Sequence, residues 1–249
     1  MGYAEQNITA AVTTVGGNFN IETENATATV GAVAEDLYGR RFRYCKNGAT
    51  ALHAGVLVQG PAYETTEIDL ALNTAPAGTA VTVTTGSVYT ANEYKGALFF
   101  VNDETGEGEQ HIIESHPAAA SGASCALILE TPLINTLAAG STGGIIKLNP
   151  FDGTVVAVAA NPTSPVIGVA LCAVTASYYY WAQTRGIVVC LGGGTMCDNV
   201  GDGLEAGSTA GGVKLFDVSA ETNLPCIGMA IQTVGVDTEY RPIWIDTGF

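Results

Sequence analysis

Residues Pro165 to Leu191, PVIGVALCAVTASYYYWAQTRGIVVCL, leave a chain few ways to fold. A nine-residue apolar run, Val166 to Val174, and a shorter one, Ile187 to Leu191, flank a break at Thr175-Ala176-Ser177 and the cluster Tyr178-Tyr179-Tyr180-Trp181. Both runs are rich in Val and Ile and too short to cross a bilayer, so they are expected to be buried strands joined by a turn. The pattern recurs. Pro165–Val174 aligns without gaps to PCIGMAIQTV at Pro225–Val234, and GSTGGIIKL at Gly140–Leu148 matches GSTAGGVKL at Gly207–Leu215 at six of nine positions. Two copies of one β-unit are therefore expected in the C-terminal half, at about 140–206 and 207–249.

Upstream, period-two stretches such as Glu67–Leu72 and Val81–Thr84 alternate with turn signals at Asn47-Gly48 and Pro76-Ala77-Gly78, and no amphipathic helix stands out. The expected class is all-β: Gly-rich barrel or sandwich units, a tandem repeat near the C-terminus and an extended N-terminal arm. The expected division is an arm at 1–45, a β-domain at 46–139 and a repeated β-domain at 140–249. The arm contains five acids up to residue 39 and no base; it pairs with a neighbouring molecule or serves as an ordinary edge strand.

With 31 glycines, only 13% charged residues and a net charge of −15, the chain is unlike a disordered one and opposes nonspecific binding to nucleic acid. Such a composition suits a surface hidden against copies of itself or a partner; the alternative is a compact monomer with a Thr/Ser/Asn-rich surface. No membrane-spanning segment and no leader peptide are read in the sequence. The six cysteines include no CxxC pair and are expected to be reduced, with Cys172 and Cys190 packed as small hydrophobes.

Candidates for chemistry are thin. The three histidines, His53, His111 and His116, carry no local catalytic signature. The acidic turns Asp103-Glu104-Glu107-Glu109 and Asp198-Asn199-Asp202 offer oxygen ligands to calcium, yet neither follows the twelve-residue calcium loop. Gly192-Gly193-Gly194-Thr195 lacks the lysine and following helix of a phosphate loop. No catalytic residue, cofactor or metal is assigned.

The interface candidates are sharper. Four of the nine cations, Arg40, Arg41, Arg43 and Lys46, fall within seven residues of an otherwise acidic region, and Arg185 stands alone between Lys147 and Lys214. Such arginines are expected to pair with acids on another chain. Strand alternation puts Tyr178 and Tyr180 on one face and Tyr179 and Trp181 on the other. One pair should fill a core; the other packs on a subunit or holds a ligand such as a glycan.

Taken together, Tyr38-Gly39-Arg40-Arg41-Phe42-Arg43-Tyr44 with Asn47-Gly48-Ala49, the Gly106-Glu107-Gly108 turn, Tyr179 to Gly186 and Val200-Gly201-Asp202-Gly203 resemble tailed-bacteriophage head decoration, or cement, proteins. The resemblance covers most of the chain loosely and is strongest from about 95 to 249. It implies a non-enzymatic virion structural protein, made in the host cytoplasm. Such a protein clusters, often as a homotrimer, on the outer capsid surface against the major capsid protein. A carbohydrate-binding or adhesion module of a fibre or spike is the alternative.

Overall fold

The computed structural model describes residues 13–14, 18–73, 77–138, 140–159, 161–195, 197–216, 225–232 and 237–249. Every regular element among them is a strand. In chain order, β1 (Thr13–Thr14), β2 (Val33–Glu35), β3 (Arg41–Asn47) and β4 (Leu57–Gln59) open a first compact unit. A second unit, Tyr63–Leu148, holds β5 (Leu70–Ala71), β6 (Ala80–Thr84), β7 (Leu98–Asp103), β8 (Gln110–Ser115), β9 (Ser124–Leu129) and β10 (Thr142–Ile146). The chain then returns to the first unit with β11 (Asp152–Val156), β12 (Val166–Ala170), β13 (Tyr179–Gly192), β14 (Gly203–Ala206), β15 (Gly212–Leu215), β16 (Gly228–Ala230) and β17 (Tyr240–Asp246). The chain passes between the units at 62/63 and 148/149, where the sequence reading placed divisions at 45/46 and 139/140. Most of the proposed arm's first 17 residues lie outside the described residues.

The strand order of the first unit contains two closed circuits that share β13. One runs β3–β11–β4–β12–β13 and back to β3; the other runs β13–β15–β14–β16–β17 and back to β13. In both, the first strand in chain order lies parallel to the third, and every other pairing is antiparallel. The registers agree residue by residue. Lys46 faces Asp152 as Leu191 faces Gly212; Tyr180 faces Cys45 as Arg241 faces Cys190; Gly168 faces Val58 as Gly228 faces Leu204. The first unit is thus a tandem pair of five-stranded rings. The 14-residue β13 closes the first with its N-terminal half and opens the second with its C-terminal half.

The repeat is therefore real but placed differently from the sequence expectation. The Pro-x-Ile-Gly blocks are equivalent: a Cβ on Gly168 would strike the Gln183 carbonyl, and one on Gly228 the Trp244 carbonyl, so both strands need glycine to let the partner backbone approach. The GST blocks are not equivalent. Thr142–Ile146 is β10 of the second unit, whereas Gly207–Gly211 is the turn between β14 and β15. Each block is glycine-rich for its own reason: Gly144 packs under the Phe100 ring, and Gly207 and Gly212 press on the Gly193 backbone. Where the second ring has that five-residue turn, the first ring carries the whole second unit between β4 and β11.

Alternation accounts for the cores. Along β13, Tyr180, Ala182, Val188 and Cys190 point inward and are buried, whereas Arg185, Ile187 and Val189 point out. Cys45, Ile167, Tyr180 and Ala182 fill the first ring; Val188, Cys190, Leu204, Val213, Ile243 and Ile245 fill the second.

The second unit is a nearly closed antiparallel barrel, β5–β10–β7–β8–β9–β6, whose remaining gap is spanned by a Leu72–Val83 bridge and by the Asn73 N–H donating to the Thr82 carbonyl at 3.0 Å. Val83, Phe99, Ile113 and Leu127 fill it. One end carries a buried polar network. The Glu67 carboxylate accepts from Tyr89 and from Ser87 (2.7 Å), Tyr89 packs edge-on against Tyr94 and His116, and His116 Nε2 accepts the Tyr94 N–H at 3.0 Å. Burial and the neighbouring Glu67 push the Tyr94 hydroxyl up to about 12.

Candidate interaction surface

The aromatic cluster splits as alternation requires. Tyr180 is fully buried inside the first ring, where its hydroxyl shares a 2.8 Å hydrogen bond with Thr154 Oγ1; Tyr178 packs against the same core. Tyr179 and Trp181 face outward. They do not lie bare, because residues 18–35 of the same chain run over that face. Phe19 stacks on Phe42 at 3.9 Å and meets Trp181 edge-on at 5.7 Å. Tyr44 leans on Trp181 at 5.0 Å and lies parallel to Tyr179 at 5.9 Å. The covering segment is held by reciprocal backbone hydrogen bonds between Thr23 and Tyr179 (2.9 and 2.8 Å) and by the Thr27 N–H donating to the Tyr44 hydroxyl at 2.8 Å.

The arginines also have partners within the chain. Arg40 Nε sits 2.7 Å from Asp36 Oδ2, and the other carboxylate oxygen of Asp36 accepts the Tyr38 and Arg40 N–H groups. Burial alone would raise the Asp36 carboxyl, but the hydrogen bonds from Arg40 and Tyr38 outweigh it and hold it below its ordinary value. Arg41 reaches Glu35, its cross-strand neighbour, at 3.8 Å. Arg43 lies over the Phe151 ring and donates to the Gly31 carbonyl at 2.9 Å; burial, then Arg41, lowers its pKa. Arg185 pairs with Asp246 across β13 and β17 at 3.6 Å. The tip that Arg40 and Asp36 tie together presents Leu37 and Tyr38 almost fully to solvent.

A surface not anticipated from the sequence lies on the outside of the second ring. Ile187 and Val189 of β13 stand opposite Trp244 and Pro242 of β17, and Met229 of β16 stands beside Trp244. Ile187 is 54% exposed and Val189 51%. One row further, Tyr240 is half exposed and leans its ring on the backbone of Gly55, whose φ of +75° and lack of a Cβ make room for it. Val189 and Tyr240 continue into a cleft of about 470 Å³ lined also by His53, Gly55, Ala170 and Leu171. Two ion pairs border it in the ladder, Arg185 with Asp246 and Arg241 with Glu239, and the strip itself carries no charge. Sequence reading missed it because IVVCL looks like a uniformly buried run. The alternation in Tyr240-Arg241-Pro242-Ile243-Trp244 was the available signal.

The other candidates serve the fold. Asp202 Oδ2 accepts the Asp198 and Asn199 N–H groups and so closes its own turn. Glu109 accepts from Ile134 and Asn135 backbone amides (3.0 and 2.9 Å) and sits 3.2 Å from His111 Nε2. Among the described residues, no three His, Cys, Asp or Glu side chains gather to hold a metal. Gly193 of the Gly192–Thr195 stretch is pressed between Gly207 and Gly212. No family model, curated protein or solved structure matches the chain.

Proposed function

We propose that the protein is a non-enzymatic structural component of a virion that decorates a phage capsid from outside and stabilises it by multivalent contacts with the major capsid protein, as a homo-oligomer. The single observation that carries this reading is the neutral apolar strip of Ile187, Val189, Met229, Pro242 and Trp244 on a molecule whose net charge is −15. An exposed apolar strip is a surface for a partner to cover, and the acidic remainder repels nucleic acid. Weak contacts repeated over a closed shell add up to firm attachment. The test is cosedimentation with purified capsids that lack the protein. Saturable binding with a fixed copy number per shell is expected; absence of binding, or binding only to free DNA, would overturn the reading.

Carbohydrate recognition has one observation in its favour, the half-exposed Tyr240 beside His53 at the cleft. It no longer draws on the Tyr178–Trp181 cluster, whose rings pack on one another and on Phe19. Glycan binding that disappears in Tyr240→Ala would favour it.

A further inference from the structure

The two rings differ in one respect that bears on what the second one binds. Their matched registers pair each outward position of one with a position of the other. Phe42 corresponds to Ile187, Tyr44 to Val189, Tyr179 to Tyr240 and Trp181 to Pro242. In the first ring the strand β3 side of this face is covered: Phe42 is 0% exposed and Tyr44 1%, with Tyr179 and Trp181 partly buried, because the irregular segment that begins with Phe19 lies against it. In the second ring the same face is open, with Ile187 and Val189 half exposed and no described segment across it.

We propose that the outer face of the second ring receives a segment of a partner protein, anchored by a large apolar or aromatic side chain and neutral or basic in charge. It is covered as Phe19 and its neighbours cover the first. The occupant's form follows from the internal counterpart. A segment without regular structure, anchored by one aromatic ring stacked on Phe42 and edge-on to Trp181, is how this chain covers the equivalent surface. Its charge follows from the molecule it approaches. The strip is neutral and its flanking ions are already paired, whereas the whole chain carries −15, so an acidic segment is repelled before it arrives. A second copy fits less well: it carries the same excess charge, and its own segment 18–35 is engaged on its own first ring. An aromatic side chain seated in a surface pocket is a common anchor of a protein contact. The cleft beside Val189 and Tyr240 is such a pocket.

The chain has two tryptophans, Trp181 under Phe19 and Trp244 on the open strip, which supplies the reporter. In full-length Trp181→Phe protein, Trp244 emission is titrated with the synthetic peptide Lys-Thr-Phe-Thr-Phe-Thr-Phe-Thr-Lys and with its counterpart bearing Glu at both ends. The expected result is a saturable blue shift with the Lys-ended peptide. Binding should be at least tenfold weaker for the Glu-ended one, and at least tenfold weaker again in Ile187→Lys and Val189→Lys. Thermal melting of each variant checks the fold; a variant that melts early is replaced by Val189→Thr, which must show the same direction of loss. No saturable shift, or undiminished binding by the variants, overturns the proposal. Self-association in sedimentation that Val189→Lys abolishes also overturns it, by giving the face to a second copy. Capsid cosedimentation is scored separately, so peptide binding without capsid binding retains this proposal and rejects the virion reading.

Discussion

Tyr180 and Trp181 are adjacent in sequence and opposite in surroundings. Tyr180 has no exposed surface and shares a hydrogen bond with Thr154; Trp181 is sandwiched between Phe19 and Tyr44. Tyr180→Ala should cost about 3–5 kcal/mol in urea denaturation, the usual range for removing a buried aromatic. Tyr180→Phe should cost about 1 kcal/mol, because Thr154 Oγ1 keeps its contact with the Lys46 carbonyl. The alternation that separates these residues was legible in Tyr178–Trp181 itself. The cover over Trp181 was not, since Phe19 lies far upstream and nothing in the local pattern points to it. The arginines misled for a related reason. Arg40 and Arg41 are clustered cations in an acidic chain, but Asp36 and Glu35 sit within reach once the chain turns between them. At the same scale, Cys45 and Cys190 hold equivalent places and both are enclosed; burial pushes the Cys190 thiol up to about 12. Of the six cysteines only Cys226 is exposed, so a thiol reagent at neutral pH should label it first, as mass spectrometry of the native protein would show.

At the level of elements, the equivalence of β12 with β16 rests on two glycines, and it can be tested in pairs. Gly168→Ala and Gly228→Ala each drive a methyl group into a partner-strand carbonyl, and each should destabilise the first unit by about 1–3 kcal/mol. Gly39→Ala tests a different requirement: its φ of +75° is strained for alanine, although nothing lies within 4 Å of the added carbon. The Pro-x-Ile-Gly strands were legible because their glycines answer the same steric demand. The strands equivalent to β3 and β4 were not, because barrel packing fixes their inward faces while their outward residues diverged. Gln59 and Glu205 show how far. Both are buried at matching places; one holds the Val158 N–H and Thr163, the other Lys214 at 3.1 Å. In the small barrel, Glu109 ties β8 to Ile134 and Asn135. Burial would raise its carboxyl, but those donors and His111 hold it below the ordinary 4.5. A depressed carboxyl stabilises fully above its unfolded value and loses that contribution as pH falls through the folded one. Barrel stability should therefore be level from neutrality to about pH 5 and decline below it. Glu109→Gln should flatten that decline in pH-dependent urea denaturation.

At the level of the whole chain, the barrel is an insertion in the β4–β11 connection of the ring pair. Because β4 and β11 are hydrogen-bonded neighbours, through Gln59 with Val155, the chain leaves and returns at adjacent points. Replacing Tyr63–Leu148 with a short Gly-Ser turn, as the second ring has at Gly207–Gly211, should leave a folded ring pair with its β-sheet circular dichroism intact. An unfolded product would mean that the rings depend on the barrel. All-β architecture and the existence of a repeat were legible from strand period and block matches. The boundaries were not, because the GST block that marked the first copy belongs to the barrel.

The strand common to both rings also imposes an order on synthesis. Chains emerge from the ribosome N-terminus first, so β3 appears early yet cannot meet β13, its antiparallel partner in the ring, until Tyr179 to Arg185 have been made. By then every strand of the barrel has already been released. The barrel can fold as the chain grows, while the first ring stays open, its β3 and β4 still without β11, β12 and β13. The second ring waits longer still, for β17 near the C-terminus. A nascent chain stalled once Leu148 has cleared the exit tunnel should resist protease across the barrel and be cut freely in β3 and β4; that protection should spread to β3 only when β13 clears the tunnel.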